Sequence, residues 1–101
     1  LPYQIPESYS GLHLYVIRLK LGELKVSRKQ VFEALRAKGI GVNVHYIPVH
    51  TQPYYENLGF KLGDFPVAEA YYDSAISLPM YPDLTDAQIQ YVYGSLKEVL
   101  V

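Results

Sequence analysis

The run Asn43-Val44-His45-Tyr46-Ile47-Pro48-Val49-His50 is the densest set of chemistry-bearing side chains in the chain. Two imidazoles, a phenol and a carboxamide cluster where an alternating segment meets a proline, and strand ends and loops are where binding and catalytic groups concentrate. As a metal centre the run is weak. His45 and His50 do not have the H-x-x-x-H spacing of a helical pair, and no third ligand lies nearby. The plainer reading makes His45 a hydrogen-bonded strand histidine and His50 the cap of the following helix. No other segment supplies a complete catalytic apparatus. No serine sits in a G-x-S-x-G elbow, and Gly39-Ile40-Gly41 lacks the third glycine of a dinucleotide fingerprint and leads into a strand. Glu56, Asp64 and Glu69 are scattered rather than paired. The residues therefore assign no catalytic group, no cofactor ligand and no metal ligand set.

The elements that position this run follow from periodicity. Residues 12–21, L-H-L-Y-V-I-R-L-K-L, are apolar on both alternating faces and predict a strand covered on both sides, ended by Gly22. Ser27 and Gln30 form a capping box for a helix with Val31, Phe32 and Leu35 on its inner stripe and Gly39 as its stop. Residues 40–47 alternate, with Val42, Val44 and Tyr46 on one face and Asn43 and His45 on the other. This predicts a second strand ended by Pro48. Residues 52–58 predict a short helix with Pro53 in its first turn. Asp64-Phe65-Pro66 opens another helix, with Val67, Ala70, Tyr71, Ser74 and Ala75 facing inward. Residues 76–80 predict a third strand. Thr85 and Gln88 cap a last helix with Ile89, Val92, Tyr93, Leu96 and Leu100 on one side. The order is β-α-β-α-α-β-α: an α+β domain with a three-stranded sheet and helices against it.

Composition bounds the function. The chain has 101 residues, half of them hydrophobic, and a net charge of −1. Its length suits one domain with a core, and its composition excludes a disordered chain. The charge and the lack of an RNP1-like pattern disfavour nucleic acid. Without cysteine there is no disulfide, thiol nucleophile or thiolate zinc site. No apolar run approaches the ~20 residues of a membrane span, and the start has no signal-peptide pattern. Residues 1–11, with prolines at 2 and 6, read as an extended linker, and the lack of an initiator methionine gives the impression of a piece of something longer. Of the eleven tyrosines, two stand in Tyr54-Tyr55 and two in Tyr71-Tyr72; both members of a pair cannot point inward on a helix, so one of each is expected to be a solvent-facing phenol or to meet a partner domain.

Three stretches carry a resemblance: residues 39–55, with N-V-H-Y-I-P-V-H; residues 63–69, G-D-F-P-V-A-E; and residues 77–85, S-L-P-M-Y-P-D-L-T. With the strand H-L-Y-V-I-R-L before them, they resemble the C-terminal domain of the DegT/DnrJ/EryC1/StrS aminotransferases over almost the whole chain. Within that family they are most similar to the branch of UDP-4-amino-4,6-dideoxy-N-acetyl-β-L-altrosamine transaminases and spore-coat polysaccharide biosynthesis proteins.

The resemblance implies the small domain, residues 12–101, of a fold-type-I, pyridoxal-phosphate-dependent enzyme that aminates nucleotide-linked 4-keto-6-deoxy sugars. It implies a cytoplasmic homodimer, an amino donor such as glutamate, and a cofactor held by the lysine of a large N-terminal domain. No lysine here stands in a Schiff-base motif, so the chain alone is expected to be inactive. The family's H-Y-x-P-x-H segment maps onto His45, Tyr46, Pro48 and His50, which makes His45, Tyr46 and His50 the expected substrate-binding residues, in that order. Imidazole, phenol and amide groups suit the diphosphate, hydroxyl and keto oxygens of such a substrate. An independent small α+β ligand-binding or regulatory module is the alternative.

Overall fold

The computed structural model describes residues 3–101. Leu1 and Pro2 of the expected linker lie outside the described residues. In chain order the elements are β1 (Tyr15–Arg18), α1 (Arg28–Ala37), a 3-10 turn (Val49–Thr51), α2 (Pro53–Asn57), α3 (Pro66–Ser74), β2 (Ala75–Leu78) and α4 (Asp86–Leu100). The class is α+β, and β1 pairs antiparallel with β2, Tyr15 opposite Leu78 and Arg18 opposite Ala75.

The sheet has two strands, not the expected three. Residues 40–47 contribute only a single bridge, in which Asn43 and Ser77 exchange both backbone hydrogen bonds at 3.1 and 2.8 Å. The physical reason is competition for backbone groups. The Val42 N–H donates to the Ile40 carbonyl, and the Arg36 guanidinium donates to the Val42 carbonyl at 3.1 Å. Pro48 has no N–H to offer. Alternation made the segment extended, but a ladder needs free partners on both sides.

β1 is also shorter than its apolar run, and it is not covered on both faces: Tyr15, Val16 and Ile17 are half-buried and Arg18 is exposed. α3 departs from its expected stripe: Ser74 and Ala75 are buried, but Val67 is 83% exposed and Ala70 and Tyr71 are exposed too. It is the C-terminal half of α3 that reaches β1. There the Arg18 Nε donates to Ser74 Oγ at 3.0 Å, and the helix runs directly into β2. On α4, Val92, Leu96 and Leu100 pack on the core, whereas Ile89 and Tyr93 are exposed.

The core gathers Leu19, Val31, Leu35, Ile40, Val42 and Ile76 between α1, α4 and the sheet. Both capping boxes form reciprocally, Ser27 with Gln30 and Thr85 with Gln88. Gly39 follows α1 at φ 77°, a conformation that favours glycine. Just before it, the Lys38 carbonyl accepts from the Tyr91 hydroxyl at 2.8 Å and the Lys38 ammonium pairs with Glu98 at 2.6 Å. These contacts fix the end of α1 against α4, and with it the start of residues 40–47.

A second clamp fixes the far end of that segment. His50, in the 3-10 turn, is only 7% exposed, and its Nε2 lies 2.7 Å from Glu69 Oε1 on the first turns of α3. The same oxygen accepts the Gly63 N–H at 2.6 Å. The imidazole stands edge-on to Phe65 at 4.9 Å between ring centres. Because a carboxylate only accepts, Nε2 carries the proton. The His50 and Gly63 hydrogen bonds hold the Glu69 carboxyl below its ordinary pKa.

Two outcomes follow. Leu35→Ala removes a wholly buried side chain, so urea unfolding should show a loss of about 2–5 kcal/mol with an unchanged m value. For Glu69 the folded carboxyl titrates below the unfolded one. Its contribution is therefore complete above the ordinary carboxyl range and disappears as pH falls through the depressed folded value. The midpoint of thermal unfolding, followed from pH 7 downward, should fall less steeply on the acid side in Glu69→Gln than in the natural chain.

Candidate functional site

β2 builds the site outward from the core. Its alternation sends Ile76 into the core and leaves the Ser77 hydroxyl, 4% exposed, beside residues 43–45. The Asn43–Ser77 bridge sets the register there. His45, two residues on, is half-buried with Nδ1 2.7 Å from Ser77 Oγ. One proton is shared across that contact, and its position fixes what Nε2 presents. If Nδ1 donates, Nε2 offers a lone pair; if the serine donates, Nε2 offers an N–H. Among the described residues Nε2 itself has no hydrogen-bond partner, so either form is open to a ligand.

The chain then leaves strand geometry. The His45–Tyr46 peptide is cis, and the two rings meet edge to face at 4.6 Å between centres instead of pointing to opposite sides. Tyr46 is 73% exposed. Both side chains border an open, mostly apolar hollow between residues 45–49 on one wall and residues 64–71 on the other, with Ile47, Val49, Phe65 and Val67 exposed in it. The exposed aromatic surface continues through Tyr54, Tyr55 and Phe60 in a chain of edge-on and tilted contacts. His45 and Tyr46 are thus brought together at one rim.

His50 is not brought to that rim. It is buried, with its Nε2 engaged by Glu69. Nor does it cap α2, whose N-cap is Gln52 with no side-chain cap bond. Sequence reasoning passed over Glu69 because carboxylates were sought in pairs. The available signal was its place in the first turns of a proline-initiated helix, where a carboxylate can reach back to the preceding loop and suits the positive end of the helix dipole.

Pyridoxal phosphate needs a lysine amine in an enclosed pocket. Lys20 and Lys29 pair with Glu23 and Glu33 on open surface, Lys38 pairs with Glu98, and Lys97 lies over the Tyr93 ring. Lys25 and Lys61 are exposed. None lines the hollow beside His45. The residues present do not fit the aldehyde end of that cofactor, and no step through it is assigned to this chain.

Comparison with known proteins bears on the same segments. The model of the DegT/DnrJ/EryC1/StrS aminotransferase family matches residues 2–97. The spore coat polysaccharide biosynthesis protein SpsC of Bacillus subtilis is 35% identical over 101 residues, covering 98% of this chain and 26% of SpsC. The solved structure of S. venezuelae DesV in complex with a ketimine intermediate is 30% identical, with a TM-score of 0.83 over 97% of this chain and 25% of DesV. Spr1654 of Streptococcus pneumoniae, described as a sugar aminotransferase and solved in its PMP form, is 33% identical. Its TM-score is 0.77, over 86% of this chain and 22% of its own. The chain therefore spans about a quarter of the length of these relatives. With the family pattern running almost from end to end, through β1, the His45 segment and α4, the chain belongs to the DegT/DnrJ/EryC1/StrS aminotransferase family.

Proposed function

We propose that this chain is the small domain of a pyridoxal-phosphate-dependent aminotransferase that transfers an amino group, from a donor such as glutamate, to a nucleotide-linked 4-keto-6-deoxy sugar. The product serves bacterial surface or spore-coat polysaccharide biosynthesis. In this reading residues 12–101 are the domain and residues 1–11 lead into it from a large domain outside this chain. The whole enzyme is a cytoplasmic homodimer. The observation that carries the reading is the His45–Tyr46 pair at the rim of an exposed apolar hollow, in a chain whose lysines all lie elsewhere. A face so rich in exposed Tyr, Phe, Ile and Val is ordinary for a surface that meets another domain and unusual for a free-standing module.

The cofactor, when bound by the large domain, supplies the electron sink for amino transfer. This chain's residues bind and orient. His45 Nε2 takes a hydroxyl or diphosphate oxygen of the sugar nucleotide, and the Ser77 hydroxyl fixes the ring's orientation. The Tyr46 hydroxyl adds a second hydrogen bond from the same rim. The apolar walls exclude water once the large domain covers them.

In the full-length enzyme, Tyr46→Phe and His45→Ala should each lower kcat/KM for the keto-sugar nucleotide about three- to tenfold, the worth of one neutral hydrogen bond of about 0.5–1.5 kcal/mol. Tyr46→Phe should leave thermal unfolding unchanged, because the phenol is exposed. An unchanged kcat/KM in His45→Ala, together with a large fall in stability, would show a purely structural histidine. A separate outcome concerns the cofactor. Pyridoxal phosphate mixed with this chain alone should give no borohydride-fixed adduct on a single lysine, whereas the full-length protein should give one. A stoichiometric adduct on one lysine of the isolated chain would overturn the assignment of the cofactor to the large domain.

A further inference from the structure

We propose that Glu69 and His50 are a positioning pair that holds residues 46–52 against α3. They thereby set the width of the hollow at whose rim His45 and Tyr46 stand, a role that rests on the substrate reading above. The hollow has two walls. One is residues 45–49, which run directly into the 3-10 turn bearing His50; the other is residues 64–71, which bear Glu69. The bond from His50 Nε2 to Glu69 Oε1, 2.7 Å, is the one hydrogen bond that joins these walls among the described residues. Apart from it the walls meet through apolar and aromatic side chains, which specify no single spacing.

The pair is built for rigidity. Both side chains lie largely out of water, His50 at 7% and Glu69 at 16% exposure. The same Glu69 oxygen holds the Gly63 N–H, so one carboxylate gathers the 3-10 turn, the loop at Gly63 and the start of α3. Gly63 stands at φ 97°, where only glycine is comfortable, which lets its N–H turn back toward the helix. On the other side of the segment, the Asn43–Ser77 bridge and the His45–Ser77 contact hold residues 43–45 to β2. Residues 46–49, with Tyr46 among them, are strung between these two anchors. Neither Glu69 nor His50 lines the hollow itself, so they act on a ligand only through the wall they hold.

The test uses the full-length protein with Glu69→Ala and Glu69→Gln. Gln keeps an oxygen for the Gly63 N–H and for the imidazole but drops the charge. Hydrogen exchange should speed up about tenfold or more at residues 46–52 in Glu69→Ala and stay near the natural rate at β2. In Glu69→Gln most of the protection should return. In steady-state kinetics with keto-sugar nucleotide and glutamate, Glu69→Ala should raise KM for the sugar about tenfold with kcat within about twofold, and Glu69→Gln should recover most of the loss. A merely structural role would instead lower kcat in step with the folded fraction and leave KM alone. That result, or unchanged exchange at residues 46–52, overturns the proposal. A natural enzyme that turns over no nucleotide sugar would overturn the substrate reading alone, because the exchange measurement still decides whether the pair holds the wall.

Discussion

All three polar groups of Ser77 are committed to one stretch of chain. Its N–H and carbonyl bond to Asn43, and its hydroxyl meets the imidazole of His45. The rest of the arrangement depends on this, because β2 faces the core and the site at once. Ile76, one position earlier, is wholly buried among Val31, Leu35 and Val42. Adjacent residues of a strand point to opposite faces, so the packing that fixes Ile76 also fixes where Ser77, and hence His45, must be. A slip of one residue would carry a hydroxyl into the core and an isoleucine under the imidazole.

The segment from Asn43 to Thr51 is thus held at its ends rather than along its length. Near one end it borrows order from the sheet, and at the other from the carboxylate on α3. What lies between is extended chain with exposed side chains and few backbone bonds of its own. Such a segment keeps its shape only while both anchors hold; of the two side chains at the rim, His45 sits on one anchor and Tyr46 follows directly after it. The apolar walls add contact area, but directionality comes from the polar ends.

What was legible in the sequence was what depends on neighbours in the chain. Ser27 with Gln30 and Thr85 with Gln88 announce their helices because each box closes within one turn. Gly39 after Lys38 marks a helix end for the same reason. The family resemblance was legible because long, ordered phrases carry it. The missed features need distant partners. Whether residues 40–47 form a strand depends on which donors take their carbonyls, and Arg36, reaching across to Val42, is not visible in an alternating pattern. Val67 belongs to a helical stripe by spacing, yet it faces solvent because α3 reaches β1 only through its C-terminal half, and its first turns meet the 3-10 turn and the Gly63 loop instead. His50 looked like a companion of His45 because they are close in sequence, but Glu69, nineteen positions on, draws it inward.

The exposed aromatic face has a colloidal consequence. The chain carries a net charge of only −1 and an isoelectric point of about 6.3, so near-neutral buffer gives it little electrostatic repulsion to keep copies apart. Tyr46, Ile47, Val49, Phe65 and Val67 then present oily surface around the hollow, with Asp64 as the one charged side chain that lines it. Sulfate and other strongly hydrated salts, which are excluded from protein surfaces, push such faces together, whereas moderate urea or a pH well above neutrality separates them. Handling of this domain by itself is therefore governed less by how firmly it folds than by how long its open face is kept from finding another.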